Sequence, residues 1–305
     1  MRDDRKVYDL LIIGAGPAGI TAGIYAARKK MEILVIAGEI GGQTAWSGDI
    51  ENYVGYQFIT GLELTDKFQE HMRKYGINVL ENTYISEIRK ENNIVKINAG
   101  EFSFSAKTAI LATGKRSRPL NVPGEVEFRN KGVAYCATCD APIFAGKDVA
   151  VIGGGNSALE AALQLIKIAN KIYIINLGPD LHGDEIIREK VVAAKNVVIM
   201  NETKVKEIKG GKLVDSIVVE NGSDSARLSV QGVFVEIGLI PNTEFKSDIV
   251  KNEQGEIIIT RYNETNITGI FAAGDVTDTP EKQIIIAAGE GAKAALSAFK
   301  YLARQ

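Results

Sequence analysis

Cysteine is nearly absent from this sequence, which has only two in 305 residues. A small secreted scaffold held together by disulfides needs several pairs, so that class of protein is excluded. The two cysteines lie three positions apart, as Cys136-Ala137-Thr138-Cys139. This spacing is typical of a reversible redox pair. The sequence therefore predicts thiol–disulfide chemistry rather than a structural disulfide.

An excess of charge and long apolar runs are also missing. Lys and Arg total 36 against 38 Asp and Glu, a formal charge of -2, so no overall field favours nucleic acid or an anionic membrane. The longest apolar stretches, such as residues 284–288, are far shorter than the roughly 20 residues of a membrane helix. The charged segment Met1–Tyr8 lacks the pattern of a signal peptide. We therefore expect a soluble cytoplasmic protein.

Histidine is as scarce as cysteine, since only His71 and His182 are present. A structural zinc site needs four protein ligands, and each histidine lies more than forty residues from the cysteine pair. We therefore expect no metal site. His71 falls in an amphipathic helical stretch and is predicted to be a surface residue.

A glycine-rich turn follows the first apolar run. Residues 7–13 predict a buried strand, residues 20–30 a helix and residues 33–37 a second strand. The turn after the first strand is Gly14-Ala15-Gly16-Pro17-Ala18-Gly19. In this fingerprint the first glycine permits a tight turn, the second lets backbone N–H groups approach a pyrophosphate, and the third allows close helix packing. The pattern predicts a dinucleotide site at a helix N-terminus.

The same order of elements recurs in the middle of the chain. Residues 148–152 and 171–175 predict strands, residues 159–169 predict a helix, and the turn is Gly153-Gly154-Gly155-Asn156-Ser157-Ala158. One such turn can occur without a ligand, but two in this context indicate two dinucleotide folds. The predicted fold class is α/β with two Rossmann-like dinucleotide-binding domains.

Two shorter motifs indicate that the first domain is split in sequence. TAILATG at residues 108–114 predicts a strand and turn, and GIFAAGD at residues 269–275 predicts a strand that ends in an acidic residue. Asp275 could accept a hydrogen bond from a ribityl or phosphate-linked hydroxyl, or it could cap a helix or turn. The second glycine-rich unit lies between these motifs.

The position of the second unit predicts an inserted domain. We assign residues 1–117 and 243–305 to a discontinuous FAD-binding domain. Residues 118–242 form an NAD(P)H-type domain that carries the CxxC pair.

The motifs together resemble those of a known family. GAGPAG, GGQ, ENY, ATG, CATCD, GGGNSA, GLIPN and AAGD follow one another in the order seen in low-molecular-weight thioredoxin reductases, and the resemblance covers nearly the whole chain. The sequence is also similar to the C-terminal portion of the flavoprotein component of alkyl hydroperoxide reductase. That component carries an extra N-terminal thioredoxin-fold module, and we expect this chain to start at the flavin domain.

The resemblance implies a role for the CxxC pair. Reduced FAD would pass two electrons to the disulfide, and the dithiol would reduce thioredoxin or a thioredoxin/glutaredoxin-like protein. By similarity, Cys139 faces the flavin, Cys136 attacks the partner's disulfide and Asp140 is the general acid, although Asp140 could simply begin a turn. Cysteines at this spacing lie within bonding reach when the motif starts a helix, whose N-terminus lowers the pKa of a thiol. The family also implies a homodimer.

The resemblance further implies which residues hold the cofactors. Lys282 stands where the family often has arginine; a cation there could favour anionic reduced flavin or simply be solvated. The residues assigned to FAD are Gly14, Gly16, Pro17, Ala18, Gly19, Glu39, Gly42, Gln43, Asn52, Thr113, Gly114, Gly274, Asp275, Lys282, Gln283 and Ile284. Those assigned to the nicotinamide nucleotide are Gly153, Gly155, Asn156, Ser157, Ala158, Glu160, Asn176 and Gly238.

The choice of nucleotide depends on the end of the second strand in the inserted domain. Family members that prefer NADPH have a His-Arg-Arg segment there, whose arginines bind the 2′-phosphate. This chain has Asn176-Leu177-Gly178. Asn176 could hydrogen-bond a ribose hydroxyl, so NADH is favoured over NADPH. His182 could offer one donor to a phosphate, but a solvated loop residue is the better interpretation.

Three alternatives remain open. The same disulfide reductase could take electrons from ferredoxin or a deazaflavin, because the fingerprint shows only that a backbone can accept a pyrophosphate. A ferredoxin–nicotinamide reductase of similar fold would not need Cys136 and Cys139. A non-catalytic flavin redox sensor would give one stoichiometric burst instead of sustained turnover.

Overall fold

The chain crosses twice between two units, as seen in a computed structural model that describes residues 6–47 and 49–305. One unit ends at Arg116 and resumes at Ile240, and the other runs from Ser117 to Leu239. The sequence placed the domain boundaries at 117/118 and 242/243. The first five residues of the charged N-terminal segment lie outside the described residues.

The first segment of the chain supplies most of one unit. Its described elements are β1 (Val7–Ala15), α1 (Pro17–Arg28), β2 (Ile33–Ile40), α2 (Gln43–Trp46), β3 (Asp49–Ile50), β4 (Ile59–Thr60), α3 (Gly61–Lys74), β5 (Val79–Leu80), β6 (Glu87–Glu91), β7 (Ile94–Ala99), β8 (Phe102–Leu111) and β9 (Lys115–Ser117).

The middle segment forms the second unit, and the chain then returns to the first. The elements of the middle segment are β10 (Val133–Ala134), α4 (Ala137–Asp140), a 3-10 turn (Ala141–Phe144), β11 (Asp148–Ile152), α5 (Asn156–Leu165), β12 (Lys171–Ile175), α6 (Glu185–Ala193), β13 (Val197–Met200), β14 (Lys204–Gly210), β15 (Val214–Asn221), β16 (Asp224–Ser229) and β17 (Gly232–Val235). The returning segment contains β18 (Leu239–Pro241), β19 (Ile270–Ala272) and α7 (Ile284–Leu302).

A mainly parallel sheet organises the first unit. Its order is β5-β2-β1-β8, with β19 pairing in parallel with the end of β8, while β7 and β6 extend the sheet in antiparallel fashion. In β1, Leu10 and Ile12 face one core cluster and Leu11 and Ile13 face the other, as the alternation of side chains in a strand requires. The sheet is therefore buried on both faces, as parallel sheets are.

The second unit has a fully parallel sheet of order β10-β17-β11-β12-β13. Residues of α5, including Leu159 and Leu165, pack on one face of this sheet. The antiparallel sheet β14-β15-β16 packs on the other face through residues such as Ile208 and Ile217. The predicted α/β fold class is confirmed.

Most local predictions agree with the structure. β11 and β12 have the predicted ends, and His71 is exposed on α3. Helix α1 starts earlier than predicted, at Pro17, because proline is suited to the first turn of a helix. Helix α5 likewise starts at Asn156 and ends at Leu165.

Within residues 6–47 and 49–305, no helix combines the length and apolar character needed to cross a bilayer.

Candidate functional site

The first glycine-rich turn has a geometry that only glycine permits at two positions. Gly14 has a φ of +108°, and a Cβ there would lie 2.2 Å from the carbonyl oxygen of Ala112. A Cβ at Gly19 would lie 1.9 Å from the carbonyl oxygen of Gly14, so this glycine lets α1 pack directly on the turn. The first and third positions of the fingerprint are therefore required by the fold itself.

The second fingerprint glycine differs from the other two. A Cβ at Gly16 would be 4.0 Å from the nearest atom, the carbonyl oxygen of Gly41. Gly16 also caps the N-terminus of α1, and Pro17 is the first helical residue. This open cradle at a helix N-terminus fits the pyrophosphate of a dinucleotide such as FAD, which would accept backbone hydrogen bonds there.

A second backbone turn lies against this cradle. Gly41 and Gly42 have φ values of +95° and +54°, and a Cβ at Gly42 would lie 3.3 Å from the Cα of Gly16. The two predicted residues Gly16 and Gly42 are thus brought together. Glu39, at the edge of the same turn, accepts a hydrogen bond of 2.9 Å from the indole of Trp46.

The other predicted flavin residues lie in the same unit. Asn52 donates a hydrogen bond of 3.1 Å to Gln283, although the two are far apart in sequence. Thr113 donates a 2.8 Å bond to the carbonyl of Asn242. Gly114 and Gly274 have φ values of +68° and +76° in the turns that follow β8 and β19. Gln43 starts α2 and Ile284 starts α7.

Lys282, for which the sequence left two interpretations open, is partly buried and bonded to neighbouring groups. Its side chain is 15% exposed and donates to the carbonyl of Thr277 at 2.6 Å and pairs with Glu256 at 3.2 Å. Glu256 also pairs with the buried Lys115. Burial, together with the charge of Lys115, lowers the pKa of Lys282. The geometry thus provides a cation in the flavin-type unit, and its action on the flavin stays a prediction.

Asp275 sits at the end of β19 next to this charged group. Burial raises the pKa of Asp275, while Lys282 and Lys115 act in the opposite direction and Glu290 adds to the increase. An Asp275 carboxyl beside two lysines can accept a hydrogen bond from a ligand hydroxyl without leaving an isolated buried charge. Its predicted role with a ribityl or phosphate-linked hydroxyl is compatible with this setting.

Glu290, which the sequence did not single out, holds the Asp275 turn. Its buried carboxylate accepts hydrogen bonds from the backbone N–H of Gly274 at 3.0 Å and from the hydroxyl of Thr279 at 2.8 Å. The hydroxyl of Thr277 lies 3.3 Å away. These partners lie in the turn that precedes α7, and no residue pattern links them to Glu290, so only the fold reveals the contact.

Replacing Glu290 with glutamine is expected to loosen this turn. Glutamine has one side-chain acceptor oxygen where glutamate has two, and its NH₂ group would face the N–H or hydroxyl donors that Glu290 now binds. This should lower the free energy of unfolding by about 1–3 kcal/mol. We also expect FAD to be released at a lower temperature, as measured by the rise of flavin fluorescence on heating. Glu281→Gln, at an exposed position, is the matched control and should leave both values unchanged. Equal release temperatures for the two variants would contradict the assignment.

The second glycine-rich turn repeats the same physical arrangement. A Cβ at Gly153, which has a φ of +134°, would lie 2.2 Å from the carbonyl oxygen of Glu236. At Gly155 no atom would be within 4 Å of a Cβ, and this residue caps α5. The small Ala158 is buried at the third position. This turn fits the pyrophosphate of a nicotinamide nucleotide for the same reasons as the first.

The remaining residues predicted to bind the nucleotide differ in exposure and in their contacts. Ser157 and Glu160 are exposed on α5, and Gly238 is exposed after β17 with a φ of +100°. The side-chain oxygen of Asn156 accepts a 2.8 Å hydrogen bond from the backbone N–H of Asp184. Asn156 therefore ties the glycine-rich turn to the start of α6.

Asn176 lies at the predicted strand end but its side chain is already engaged. Its amide nitrogen is within 3.1 Å of the carbonyl oxygens of Gly178 and Asp180 and of the side-chain oxygen of Asn201. Its own oxygen accepts from the backbone N–H of Gly178 at 3.2 Å. An amide has only two N–H hydrogens, so the donor side of Asn176 is used within the protein, while its oxygen keeps a second lone pair for a donor such as a ribose hydroxyl. The predicted ribose contact stays a prediction. These bonds fix the loop after β12, and His182 is exposed in that loop.

The redox pair lies at the start of α4, as predicted. Cys136 and Cys139 are joined in a disulfide with a Cα–Cα distance of 5.4 Å. Cys136 caps the helix, and the backbone N–H of Cys139 donates to its sulfur at 3.2 Å. A thiolate on Cys136 would receive this hydrogen bond, which favours the reactive form. Asp140 is the last residue of α4.

Across the described residues, no cluster of three or more potential ligands could hold a metal ion.

One acidic residue near the redox pair was missed. Glu236 follows β17, and its carboxylate accepts a hydrogen bond from the backbone N–H of Ala137. Burial raises the pKa of Glu236 to about 8, and the charges of Glu160 and Asp140 add to the increase. Its place at the carboxyl end of a parallel strand is the signal that could have identified it, because ligand-binding residues gather there.

Comparison with known proteins agrees with this arrangement. Residues 8–291 match the family described as pyridine nucleotide-disulphide oxidoreductase. The chain is 43% identical over 312 residues to the NADH dehydrogenase of Bacillus subtilis (strain 168) and 42% identical over 306 residues to the F subunit of alkyl hydroperoxide reductase from Staphylococcus aureus (strain NCTC 8325). Each alignment covers 99% of this chain and 60% of the relative, so the chain spans about 60% of the length of these relatives.

A solved structure with the same fold is the thioredoxin reductase from Streptococcus pyogenes MGAS5005. It superposes with a TM-score of 0.93 at 36% identity, and the match covers 98% of this chain and 99% of that one. The family match and this likeness support FAD and a nicotinamide nucleotide as the cofactors.

Proposed function

This chain belongs to the pyridine nucleotide-disulphide oxidoreductase family, and from that premise we propose that it is an FAD-dependent thioredoxin-disulfide reductase. The observation that carries the proposal is the Cys136–Cys139 disulfide at the start of α4, in the same unit as the second glycine-rich turn. A dehydrogenase without a disulfide substrate would have no use for this pair. The likeness to a thioredoxin reductase over nearly the whole chain supports the same activity.

The residues of the chain define the chemical steps. Bound FAD would supply two-electron transfer between a nicotinamide and a disulfide. Two electrons break the Cys136–Cys139 bond, and the sulfurs become a thiolate and a thiol with uptake of one proton. The Cys136 thiolate attacks the partner's disulfide, which forms a mixed disulfide, and one partner sulfur leaves as a thiolate and takes up the proton of the Cys139 thiol. Cys139 then attacks Cys136, which breaks the mixed disulfide, restores the internal disulfide and releases the second partner sulfur as a thiolate. By the family resemblance, Cys139 receives the electrons and Asp140 is the general acid for protonation of a thiol or the flavin.

The proposed partner is thioredoxin or a thioredoxin-like protein. The likeness to the F subunit of alkyl hydroperoxide reductase supports a thioredoxin-like domain as the second candidate. Either candidate would have to present a disulfide to Cys136, so one assay compares them. Sustained turnover with thioredoxin and NADH supports the proposal, while a single stoichiometric burst supports a redox sensor instead.

We propose NADH as the electron donor in preference to NADPH. The loop after β12 has Leu177 and Gly178 where a phosphate clamp needs arginines, and a similar protein is named an NADH dehydrogenase. Anaerobic stopped-flow reduction of the flavin, with each nucleotide at equal concentration, tests this preference. Faster reduction by NADPH would overturn it, and reduction by neither would move the proposal to ferredoxin or a deazaflavin as donor.

An arginine in this loop is expected to change the preference. Leu177 is 74% exposed, so Leu177→Arg places a guanidinium in solvent beside the proposed ribose site without disturbing the core. A charge-assisted hydrogen bond to the 2′-phosphate should raise kcat/KM for NADPH about tenfold. Leu213→Arg, at a position 63% exposed between β14 and β15, adds the same charge elsewhere and is the control. An equal increase in kcat/KM for NADPH in both variants would show that the added positive charge acts without a specific contact to the 2′-phosphate.

A further inference from the structure

The backbone of Glu236 is fixed against the second glycine-rich turn. Its N–H donates to the carbonyl of Ile152, the last residue of β11, at 2.8 Å. Its own carbonyl oxygen is so close to Gly153 that a Cβ there would come within 2.2 Å. Glu236 therefore has little freedom to move relative to β11 and the turn.

The side chain of Glu236 reaches in the other direction, to the redox helix. β10 pairs in parallel with β17, with Ala134 opposite Phe234, so Cys136 and Glu236 each lie two residues beyond the same end of neighbouring strands. The carboxylate of Glu236 accepts a hydrogen bond from the N–H of Ala137, the first peptide after Cys136. Ala137 is buried, so this bond is shielded from solvent. A single carboxyl group thus joins β17 to the helix that begins with the disulfide.

The charges around Glu236 determine its protonation. Asp140 on α4 and Glu160 on α5 are the ionisable groups that act on it, and both are acidic. Burial and these two carboxylates hold its pKa well above that of an ordinary glutamate. While Cys136 and Cys139 are joined in the disulfide, neither adds a charge.

Reduction of the disulfide changes this balance. Two electrons and one proton convert the bond into one thiolate and one thiol. The thiolate adds a negative charge next to the Ala137 peptide that Glu236 contacts. A carboxylate beside a new anion binds a proton more tightly, so its pKa rises further when the pair is reduced.

We propose that Glu236 is a positioning residue that sets the proton balance of the Cys136–Cys139 pair, taking up a proton from solvent when the pair is reduced and releasing it when the pair is oxidised. The inference rests on the proposed function, because it gives Glu236 a role within disulfide reduction. The pH range of proton uptake follows from the raised pKa of the Glu236 carboxyl. Below about pH 8 Glu236 is neutral in both states, and above it the carboxylate forms first in the oxidised protein. The extra proton is therefore taken up only above that pH.

The test is the alkylation rate of the two thiols between pH 6 and pH 10. The whole chain is reduced with dithiothreitol, freed of reductant and treated with iodoacetamide, and mass spectrometry follows Cys136 and Cys139 separately. We expect the parent protein to show a second titration step near or above pH 8. Glu236→Gln should lack that step and react about two- to tenfold faster above it, because no carboxylate then opposes the thiolate.

Further variants separate a proton effect from a structural one. Glu236→Asp keeps an ionisable group and should retain a step, whereas Glu189→Gln, exposed on α6, should behave like the parent. Glu160→Gln removes one like charge and should move the step to lower pH, which gives a test even if Glu236→Gln does not fold. Identical curves for the parent and Glu236→Gln, or no shift in Glu160→Gln, would overturn the inference.

The experiment does not depend on turnover, since no nucleotide or thioredoxin is present. If the protein fails to reduce thioredoxin while the titration step is present and depends on Glu236, the proposed function fails and the proton coupling is still established. If turnover is found without the step, only the coupling is wrong.

Discussion

Replacing Cys136 with serine is expected to reduce the NADH-dependent reduction of thioredoxin by at least about a thousandfold, because a hydroxyl cannot replace the attacking thiolate. The rate of thioredoxin reduction, followed through the reduction of insulin by thioredoxin, measures this loss. Cys139→Ser should cause a loss of the same order, since the internal disulfide cannot form. The reduction of the flavin itself by NADH should remain in both variants, because the fingerprint glycines are unchanged.

A control variant lies within the same helix turn. Thr138 is exposed between the two cysteines, so Thr138→Ser changes the motif without removing a sulfur. We expect it to retain at least about half of the parent activity, as surface substitutions usually do. If Cys136→Ser retained a tenth or more of the activity of Thr138→Ser, the disulfide would not be on the route of the electrons.

Valine at the two open fingerprint glycines is expected to remove one cofactor at a time. Gly16 and Gly155 both have extended backbone conformations, with φ values of -78° and -98°, and a Cβ at either has open space around it. The chain therefore tolerates the side chain, and only a pyrophosphate approaching the backbone meets it. We expect Gly16→Val to lower FAD affinity, and Gly155→Val to lower the rate of flavin reduction by NADH, each by about a hundredfold or more.

The two variants should fail in different ways. Gly16→Val should be purified without flavin and with an unchanged secondary structure by circular dichroism. Gly155→Val should keep its flavin, and dithionite should still deliver electrons to its disulfide. Gly14→Ala and Gly153→Ala form the contrast, because a Cβ at either would lie 2.2 Å from a backbone oxygen and should destabilise the fold itself. Full NADH reactivity in Gly155→Val would show that the second turn does not hold the nucleotide.

The sequence predicted features that depend on local pattern. The strands β11 and β12 and the start of α4 at the CxxC motif follow from apolar runs and from residue types with fixed conformational needs. The spacing of Gly14, Gly16 and Gly19 also predicts their separate roles in the tight turn, the approach of the pyrophosphate and the packing of the helix. The structure adds the reason, since two of these positions have no room for a Cβ and one does.

The features that were missed depend on side-chain contacts that the folded loops and strands create. The amide nitrogen of Asn176 bonds carbonyl oxygens of the loop after β12, a contact that the strand-end position alone did not predict. Glu290 binds the backbone N–H of Gly274 in the turn before α7, and Glu236 binds that of Ala137 in a different segment of the chain. Lys282 is partly buried and pairs with Glu256. None of these pairings has a periodicity or spacing that a single sequence displays.

The central claim is that electrons from a nicotinamide nucleotide pass through FAD to the Cys136–Cys139 disulfide. An anaerobic titration with NADH, combined with thiol counting at each point, tests it most directly. FAD and a disulfide each accept two electrons, so full reduction should consume about two equivalents of NADH per chain and expose about two new thiols. Consumption of about one equivalent with no new thiols would contradict the account.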